Sequence, residues 1–237
     1  MTNTLKLVRG ETLRFIRAAF CCALVASAIV PALAGDKVAD NKEIDNKKVV
    51  EYCGSKESNW ATELSSGVLF SNVRSDSAYN TTLVPVQLAG VLKIDDVSLD
   101  EFAGGVFRGN TEFLFRGDFY QTTWGRENHL GGLSVGPRYN FVQPGWKFVP
   151  FVEGTVGVLF ADSDPITRPD GSANGLGQDF NFTFGVAMGF RYDINDDWYV
   201  RLACDYMHVS NAGMSEPEHQ NKAIDALGPK VSVGYRF

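Results

Sequence analysis

Cysteine and histidine are scarce in this chain of 237 residues, which holds four cysteines and three histidines. The sequence contains no C-x-x-C pair and no combined cysteine and histidine spacing of the kind that binds a metal. It therefore predicts no metal site, and none of its motifs requires a cofactor.

Basic residues are outnumbered, with 22 Lys and Arg against 28 Asp and Glu, for a formal net charge of −6. Proteins that bind nucleic acid carry a basic surface, so this balance argues against a nucleic-acid partner. Long apolar runs are also lacking after residue 34, where none approaches the ~20 residues of a membrane-spanning helix. Only helices and closed barrels satisfy their backbone groups inside lipid, so the remainder is either a soluble protein or a β-barrel.

The first 34 residues have the organisation of a secretory signal peptide. Lys6, Arg9, Arg14 and Arg17 precede an apolar run over residues 18–30, and Pro31-Ala32-Leu33-Ala34 follows. A basic region, an apolar region and an Ala-x-Ala ending predict a signal peptide over residues 1–34, cleaved after Ala34. The alternative, a membrane anchor, is disfavoured because the apolar run is shorter than a spanning helix.

Cleavage there would change both the charge and the cysteine content of the mature chain. It removes four basic residues and Glu11, which takes the net charge from −6 to −9. It also removes Cys21 and Cys22, leaving Cys53 and Cys204 too differently placed to predict a disulfide. Residues 35–59 are rich in Lys, Asp, Glu and Asn, and we interpret them as a polar N-terminal segment in the periplasm.

From Trp60 onward, short segments alternate between an apolar face and a small, polar or charged face. The clearest apolar set is Phe180, Phe182, Phe184, Val186, Met188, Phe190 and Tyr192. A soluble sandwich or lipocalin-like barrel would have to bury these aromatic side chains, which would overfill its interior. The pattern instead predicts an all-β protein over residues 60–237, an eight-stranded antiparallel transmembrane barrel of the bacterial outer membrane.

The connections and the aromatic residues agree with this prediction. Short turns at 143–145 and 193–197 alternate with longer polar connections, as periplasmic turns alternate with external loops in such barrels. We expect the external loops at residues 71–80, 124–130, 162–178 and 211–223. Aromatic residues collect beside the short turns, and the chain ends on Phe237 in an alternating strand.

The strand from Trp198 to Ser210 departs from the pattern at its tip. Its even positions are apolar until His208 and Ser210, which would both face lipid at the outer leaflet. A serine becomes a useful nucleophile only beside a base, and the base needs an orienting group. Counted back from Phe237, the outward positions of the last strand reach Asp225, which can therefore arrive beside His208. The predicted active site faces the outer leaflet and contains His208, Ser210 and Asp225.

These residues also carry a family resemblance. His208-x-Ser210-Asn211-Ala212, then Asn221-x-Ala223-x-Asp225 and the final strand resemble the outer-membrane lipid A 3-O-deacylases, the PagL or acyloxyacyl hydrolase family. The stretch Pro150-Phe151-Val152-Glu153-Gly154 shares the likeness, which extends over the last six of the eight predicted strands. By this resemblance, Ser210 is the nucleophile, His208 the base and Asp225 the acid of the triad.

Two departures from the family pattern leave alternatives open. The family has N-x-G-x-E where this chain has alanine and the shorter aspartate. The loop from 211 to 221 is also longer in this chain than in the family. Glu216 and Glu218 are therefore alternatives to Asp225 as the orienting acid. Asn211 and Asn221, or backbone amides next to them, are candidates for an oxyanion hole.

The resemblance implies a serine esterase that hydrolyses an ester-linked acyl chain of lipid A, at the 3-position, in the outer membrane. Lipid A, or lipopolysaccharide, is the expected partner, and its phosphates would meet Arg74, Arg126, Arg168 and Lys222 in the external loops. The alternatives are a non-catalytic OmpA-like structural or adhesion barrel, an outer-membrane phospholipase, and a palmitoyl-transferring barrel. A homodimer is left open.

Overall fold

The computed structural model describes residues 59–71, 81–163, 175–219 and 221–237. Within them, nine strand segments and one short 3-10 segment, Phe102–Gly105, are formed. The strands are β1 Trp60–Gly67, β2 Leu69–Phe70, β3 Thr82–Lys93, β4 Gly109–Trp124, β5 His129–Phe141, β6 Phe148–Ala161, β7 Phe180–Asp193, β8 Trp198–Ser210 and β9 Ile224–Arg236. The predicted signal peptide and almost all of the predicted N-terminal segment lie outside the described residues.

The strands close into a single antiparallel barrel. Each strand from β3 to β9 pairs with its neighbour in the chain, and β1 pairs with both β3 and β9. Segments β1 and β2 are two parts of one barrel strand, because β2 pairs with the same two neighbours beyond a break at Val68. The barrel therefore has eight strands, and the predicted fold is confirmed. The break at Val68 was not predicted. No helix in the described parts of the chain is long and apolar enough to cross a membrane.

The outward face carries the aromatic and aliphatic side chains, as the alternation predicts. Exposed apolar side chains include Leu64, Leu88, Phe115, Phe119, Leu133, Val156, Phe160, Phe182, Phe184, Leu202 and Val231. Near the end of the barrel that holds Trp60 and Phe237, here called the terminal end, aromatic rings pack in pairs such as Trp198 with Tyr235. A continuous apolar wall with rings at its border suits the hydrocarbon layer and its interface.

Charged side chains fill the interior instead of leaving a pore. Ten of them are buried on inward positions of the described strands: Glu63, Glu112, Asp118, Glu153 and Asp205 face Arg116, Arg138, Arg191, Arg201 and Lys230. Arg138 alone contacts three of these carboxylates, from 2.7 to 3.0 Å. Buried charges are tolerated only when they are paired, and five acids against five bases leave this interior balanced.

The opposite end of the interior, here called the distal end, is apolar. Its cluster contains Leu69, Leu83, Tyr120, Leu130, Leu159, Ala161, Leu176, Met207, Val209, Ile224 and Ala226. Leu176 comes from the connection between β6 and β7 and is fully buried in the cluster. Because Met207 and Val209 point into this cluster, the tip of β8 is held firmly and its alternate residues must point outward.

The lengths of the connections differ from the prediction at two places. The β4–β5 connection, expected to be long, spans only residues 125–128. The connection between β3 and β4 spans residues 94–108, although it lies at the terminal end among the short turns. The β4–β5 connection is shorter than its polar composition suggested, because strand β4 continues through Gln121, Thr122 and Thr123.

Candidate active site

His208 and Asp225 form a pair on the outward face at the distal end. They lie opposite each other in the antiparallel register of β8 and β9. His208 Nδ1 is 2.8 Å from Asp225 Oδ1. The aspartate side chain is 1% exposed, whereas the histidine side chain is 33% exposed. A carboxylate that accepts from Nδ1 fixes the tautomer whose Nε2 is free to accept a proton.

Ser210 lies two residues beyond His208 on the same outward face. Its Oγ accepts hydrogen bonds from Asn221 Nδ2 at 2.9 Å and from the Ala212 backbone N at 3.3 Å. A hydroxyl has two acceptor positions and one hydrogen, so both acceptor positions are filled and the hydrogen remains to be donated. In the described parts of the chain, no hydrogen bond joins Ser210 Oγ to His208 directly.

The turn after Ser210 explains why the Ala212 amide points back at the serine. Ala212 has a φ of +57°, a left-handed conformation that is uncommon for a residue other than glycine. Gly213 follows with a φ of +79°, and its N donates to Asn211 Oδ1 at 2.9 Å. Strained backbone of this kind clusters at functional sites, so the turn adds to the reasons for regarding this region as a candidate site.

Asn211 and Asn221, both predicted near an oxyanion hole, have different surroundings. Asn211 is fully buried, and its Nδ2 donates to Leu176 O at 2.7 Å and to Ser215 Oγ at 2.8 Å. Both of its amide hydrogens are engaged within the distal loops, so its side chain shapes the loop and offers nothing to Ser210. Asn221 instead directs its Nδ2 at Ser210, and its Oδ1 is buried without a hydrogen-bond partner in the described structure.

Neither of the two alternative acids pairs with the histidine in the described structure. Glu216 and Glu218 are exposed on the connection between β8 and β9. The acid that hydrogen-bonds His208 is Asp225. The longer loop therefore does not displace the acid of the last strand, because the antiparallel register fixes which residue lies opposite His208.

Tyr206 belongs to this site and was missed in the sequence. Its hydroxyl donates to Asp225 Oδ1 at 2.5 Å, the same oxygen that pairs with His208. The sequence pattern counted Tyr206 among the lipid-facing residues of β8. A usable signal was present, because residues 206, 208 and 210 share one face and Tyr206 pairs with Leu227, the outward neighbour of Asp225.

The site is set in an apolar wall. Across β7, His208 lies opposite Phe184 and Ser210 lies opposite Phe182, and both phenylalanines are exposed. A polar cluster on a lipid-facing wall is costly and is a functional candidate for that reason. The described residues include no group of three His, Cys, Asp or Glu side chains arranged to hold a metal ion.

The closed barrel and its apolar outer wall define a class of protein, the outer-membrane β-barrels. The family model described as "Lipid A 3-O-deacylase (PagL)" matches residues 105–236, which is more than half of the chain. The chain belongs to this family. The match begins just before β4 and includes Tyr206, His208, Ser210, Asn221 and Asp225, so the resemblance found in the sequence is confirmed.

Solved structures share the barrel at low sequence identity. The structure titled "Crystal structure of the outer membrane enzyme PagL" is 19% identical, covers 73% of this chain and 97% of that one, and has a TM-score of 0.48. The Neisserial surface protein A (NspA) is 12% identical, covers 76% and 98%, and has a TM-score of 0.50, which shows the fold alone. No curated protein matches the sequence.

Proposed function

We propose that this protein is a serine esterase that removes an ester-linked acyl chain from lipid A, at the 3-position, within the outer membrane. The observation that carries the proposal is the 2.8 Å contact of His208 with the buried Asp225, on a lipid-facing wall with Ser210 on the same face. Membership of the lipid A 3-O-deacylase family supplies the substrate class.

In this proposal, His208 Nε2 takes the Ser210 proton while Oγ attacks the ester carbonyl. Residues i and i+2 of a strand have Cα atoms roughly 6.5–7 Å apart, so a rotation of the serine side chain brings its hydroxyl to the imidazole. Collapse of the tetrahedral intermediate breaks the bond from the acyl carbon to the sugar oxygen. That oxygen takes the proton from His208 and leaves as a hydroxyl. The acyl-serine ester is then hydrolysed by water in the same way, releasing the fatty acid and free Ser210.

The oxyanion of the intermediate needs donors beside the nucleophile. Asn221 Nδ2 and the Ala212 N–H already point at Ser210 Oγ, and we assign them this role. Once Ser210 Oγ is bonded to the acyl carbon, it is a weaker hydrogen-bond acceptor. Both donors can then turn to the neighbouring oxyanion. Asn211 supports this arrangement from behind, because it holds the turn that orients the Ala212 amide.

Asp225 and Tyr206 position the base and do not meet the substrate. The carboxylate holds the imidazole through Nδ1 and stabilises the imidazolium that forms during the reaction. The Tyr206 hydroxyl holds the carboxylate oxygen in turn, at 2.5 Å. Charge-assisted hydrogen bonds of this kind are short and strong, which suits a group that must orient another.

The apolar wall provides the place for the acyl chains of lipid A. Phe182 and Phe184 flank the site on the side of β7, and the headgroup would then lie against the distal loops. Arg126 and Lys222 belong to those loops and are proposed to meet the phosphates, whereas Arg74 and Arg168 lie outside the described residues. This arrangement orients the distal end outward, toward the leaflet that carries lipopolysaccharide. A homodimer stays a prediction.

Mass spectrometry of lipid A from cells that express the wild type, Ser210→Ala or Asp225→Ala tests the proposal. The expected result is loss of one hydroxyacyl chain with the wild type only, with every variant present as folded barrel in the outer membrane. Deacylation by Ser210→Ala would overturn the triad. Unchanged lipid A with release of fatty acid from phospholipids would favour a phospholipase, and no ester cleavage at all would favour a structural barrel.

A further inference from the structure

The long connection between β3 and β4, residues 94–108, is a folded loop at the terminal end of the barrel. Ser98 and Gly109 exchange backbone hydrogen bonds across its base. Leu99 and Ala103 have left-handed φ angles of +56° and +50°, which are uncommon for residues with a side chain. This loop is a defined structure, and here it is called the foot.

The foot lies against the outside of the barrel, beside the lipid-facing wall. The Tyr139 hydroxyl donates to Phe107 O at 2.5 Å, and Tyr139 is an outward residue of β5. On the neighbouring strand, the N–H of the outward residue Thr111 donates to Asp95 Oδ1 at 2.6 Å. Gln143, from the next turn, donates to Gly105 O at 2.7 Å. These contacts hold the foot at the border of the apolar wall nearest the terminal end.

The foot exposes large apolar side chains. Leu99, Phe102, Val106 and Phe107 are all exposed, Phe102 to 61%, and the rings of Phe102 and Phe107 are 5.7 Å apart. Contiguous exposed apolar surface of this kind marks an interaction site. The patch is continuous with the lipid-facing wall, because the Tyr139 hydroxyl donates to the Phe107 carbonyl. The Tyr139 ring in turn packs edge-on against the Phe141 ring, with the ring centroids 5.2 Å apart.

We propose that the foot is a membrane-binding element that inserts Phe102, Val106 and Phe107 into the headgroup region of the leaflet at the terminal end. Its partner is a phospholipid surface of no net charge. The foot carries Asp95, Asp96, Asp100 and Glu101 against Arg108 alone, so anionic lipid would repel it and its attachment is apolar. Aromatic side chains at this depth anchor a barrel at the interface.

An environment-sensitive fluorophore on single cysteines tests the proposal. Phe102→Cys and Val106→Cys are labelled in a chain whose other cysteines are serine, and each is folded into phosphatidylcholine vesicles. Asp96→Cys is the matched control, because the Asp96 side chain belongs to the same foot and is 80% exposed beside Lys93. Folding of each variant is checked by the faster migration of the unheated barrel on a gel.

The expected result is a blue-shifted emission at positions 102 and 106 that a quencher placed in the lipid headgroup region reduces at least twofold, with water-like emission at 96. Raising the salt concentration should leave both signals unchanged. Water-like emission at 102 and 106 in these vesicles, which hold no other protein, would overturn the proposal, including the case in which another protein covers the patch. The measurement needs no substrate, so its failure would leave the proposed esterase untouched.

Discussion

Two buried carboxylates of this barrel each accept a hydrogen bond from a tyrosine hydroxyl but pair with different basic side chains. Inside the barrel, Glu63 accepts from the Tyr199 hydroxyl at 2.7 Å and pairs with Arg138 and Arg201. On the outer wall, Asp225 accepts from the Tyr206 hydroxyl at 2.5 Å and pairs with His208. A tyrosine and a cation-forming side chain hold each carboxylate, so burial alone does not distinguish them.

The partner makes the difference. Arginine stays protonated throughout the accessible pH range, so the Glu63 cluster can hold strands together but cannot move a proton. Histidine exchanges its proton near neutral pH, so the Asp225 cluster can serve a base. The interior is balanced by five acids and five bases, whereas the outer cluster interrupts an apolar wall. The comparison teaches that the first arrangement stabilises the barrel and that the second is suited to chemistry.

The largest expected effect comes from removing the proposed nucleophile. Ser210→Ala should lower the rate of lipid A deacylation by roughly 10⁵-fold or more, because no oxygen remains to form the acyl-enzyme. Purified barrels in mixed micelles with lipid A, assayed by released fatty acid, give the rate. Ser66→Ala is the matched control, since Ser66 is also an outward serine and its Oγ, among the residues that the structure describes, donates only to Pro85 O at 2.8 Å. Full activity in Ser210→Ala would end the serine mechanism.

The two carboxylates can be exchanged for their amides to separate chemistry from stability. Asp225→Asn should reduce kcat by roughly 10³ to 10⁴-fold, because an amide no longer holds His208 in its working tautomer. Its midpoint of urea unfolding in detergent should change little.

Glu63→Gln should do the reverse. It removes one of the two carboxylates that Arg138 and Arg201 share, the other being Glu112, and breaking a buried pair costs ~3 kcal/mol or more of unfolding free energy. The folded fraction should keep its activity. Equal loss of stability in both variants would show that Asp225 belongs to the framework.

A smaller loss is expected at the proposed oxyanion donor. Asn221→Ala removes the Nδ2 that points at Ser210, and the loss of one such donor costs about 10²-fold in kcat with KM little changed. Asn128→Ala is the control, because Asn128 is another distal asparagine whose Nδ2 bonds Asp162 instead. A large rise in KM with unchanged kcat would place Asn221 in substrate binding and not in the transition state.

The outward face of the barrel was predictable because the side chains of a strand alternate with a period of two. The residues of each face therefore occupy alternate positions in the sequence. The same period brings Asp225 to the face of His208, and adjacent antiparallel strands then bring the two together. The fold of residues 94–108 was not predictable, because left-handed φ angles at Leu99 and Ala103 have no signature in these residue types.

Hydrogen-bond assignments were the other limit. The sequence offered Asn211 and Asn221 alike as oxyanion-hole candidates, but only the path of the distal loops decides which amide is engaged elsewhere. Tyr206 was missed for a similar reason. An aromatic residue on a lipid-facing wall is ordinary, and its hydroxyl gains a role only through the register that sets it beside Asp225.

Tyr206→Phe therefore gives the finest test of the comparison. It removes one hydrogen bond to a charged group, an interaction of about 1.5–3 kcal/mol, and should lower kcat by about 10 to 100-fold. KM should change little, because Tyr206 acts through Asp225 and His208 and does not meet the substrate. Tyr199→Phe removes the equivalent hydroxyl from Glu63 and should lower stability while the folded fraction keeps its kcat. An unchanged kcat in Tyr206→Phe would reduce Tyr206 to a packing residue, and the likeness between the two clusters would then end at their geometry.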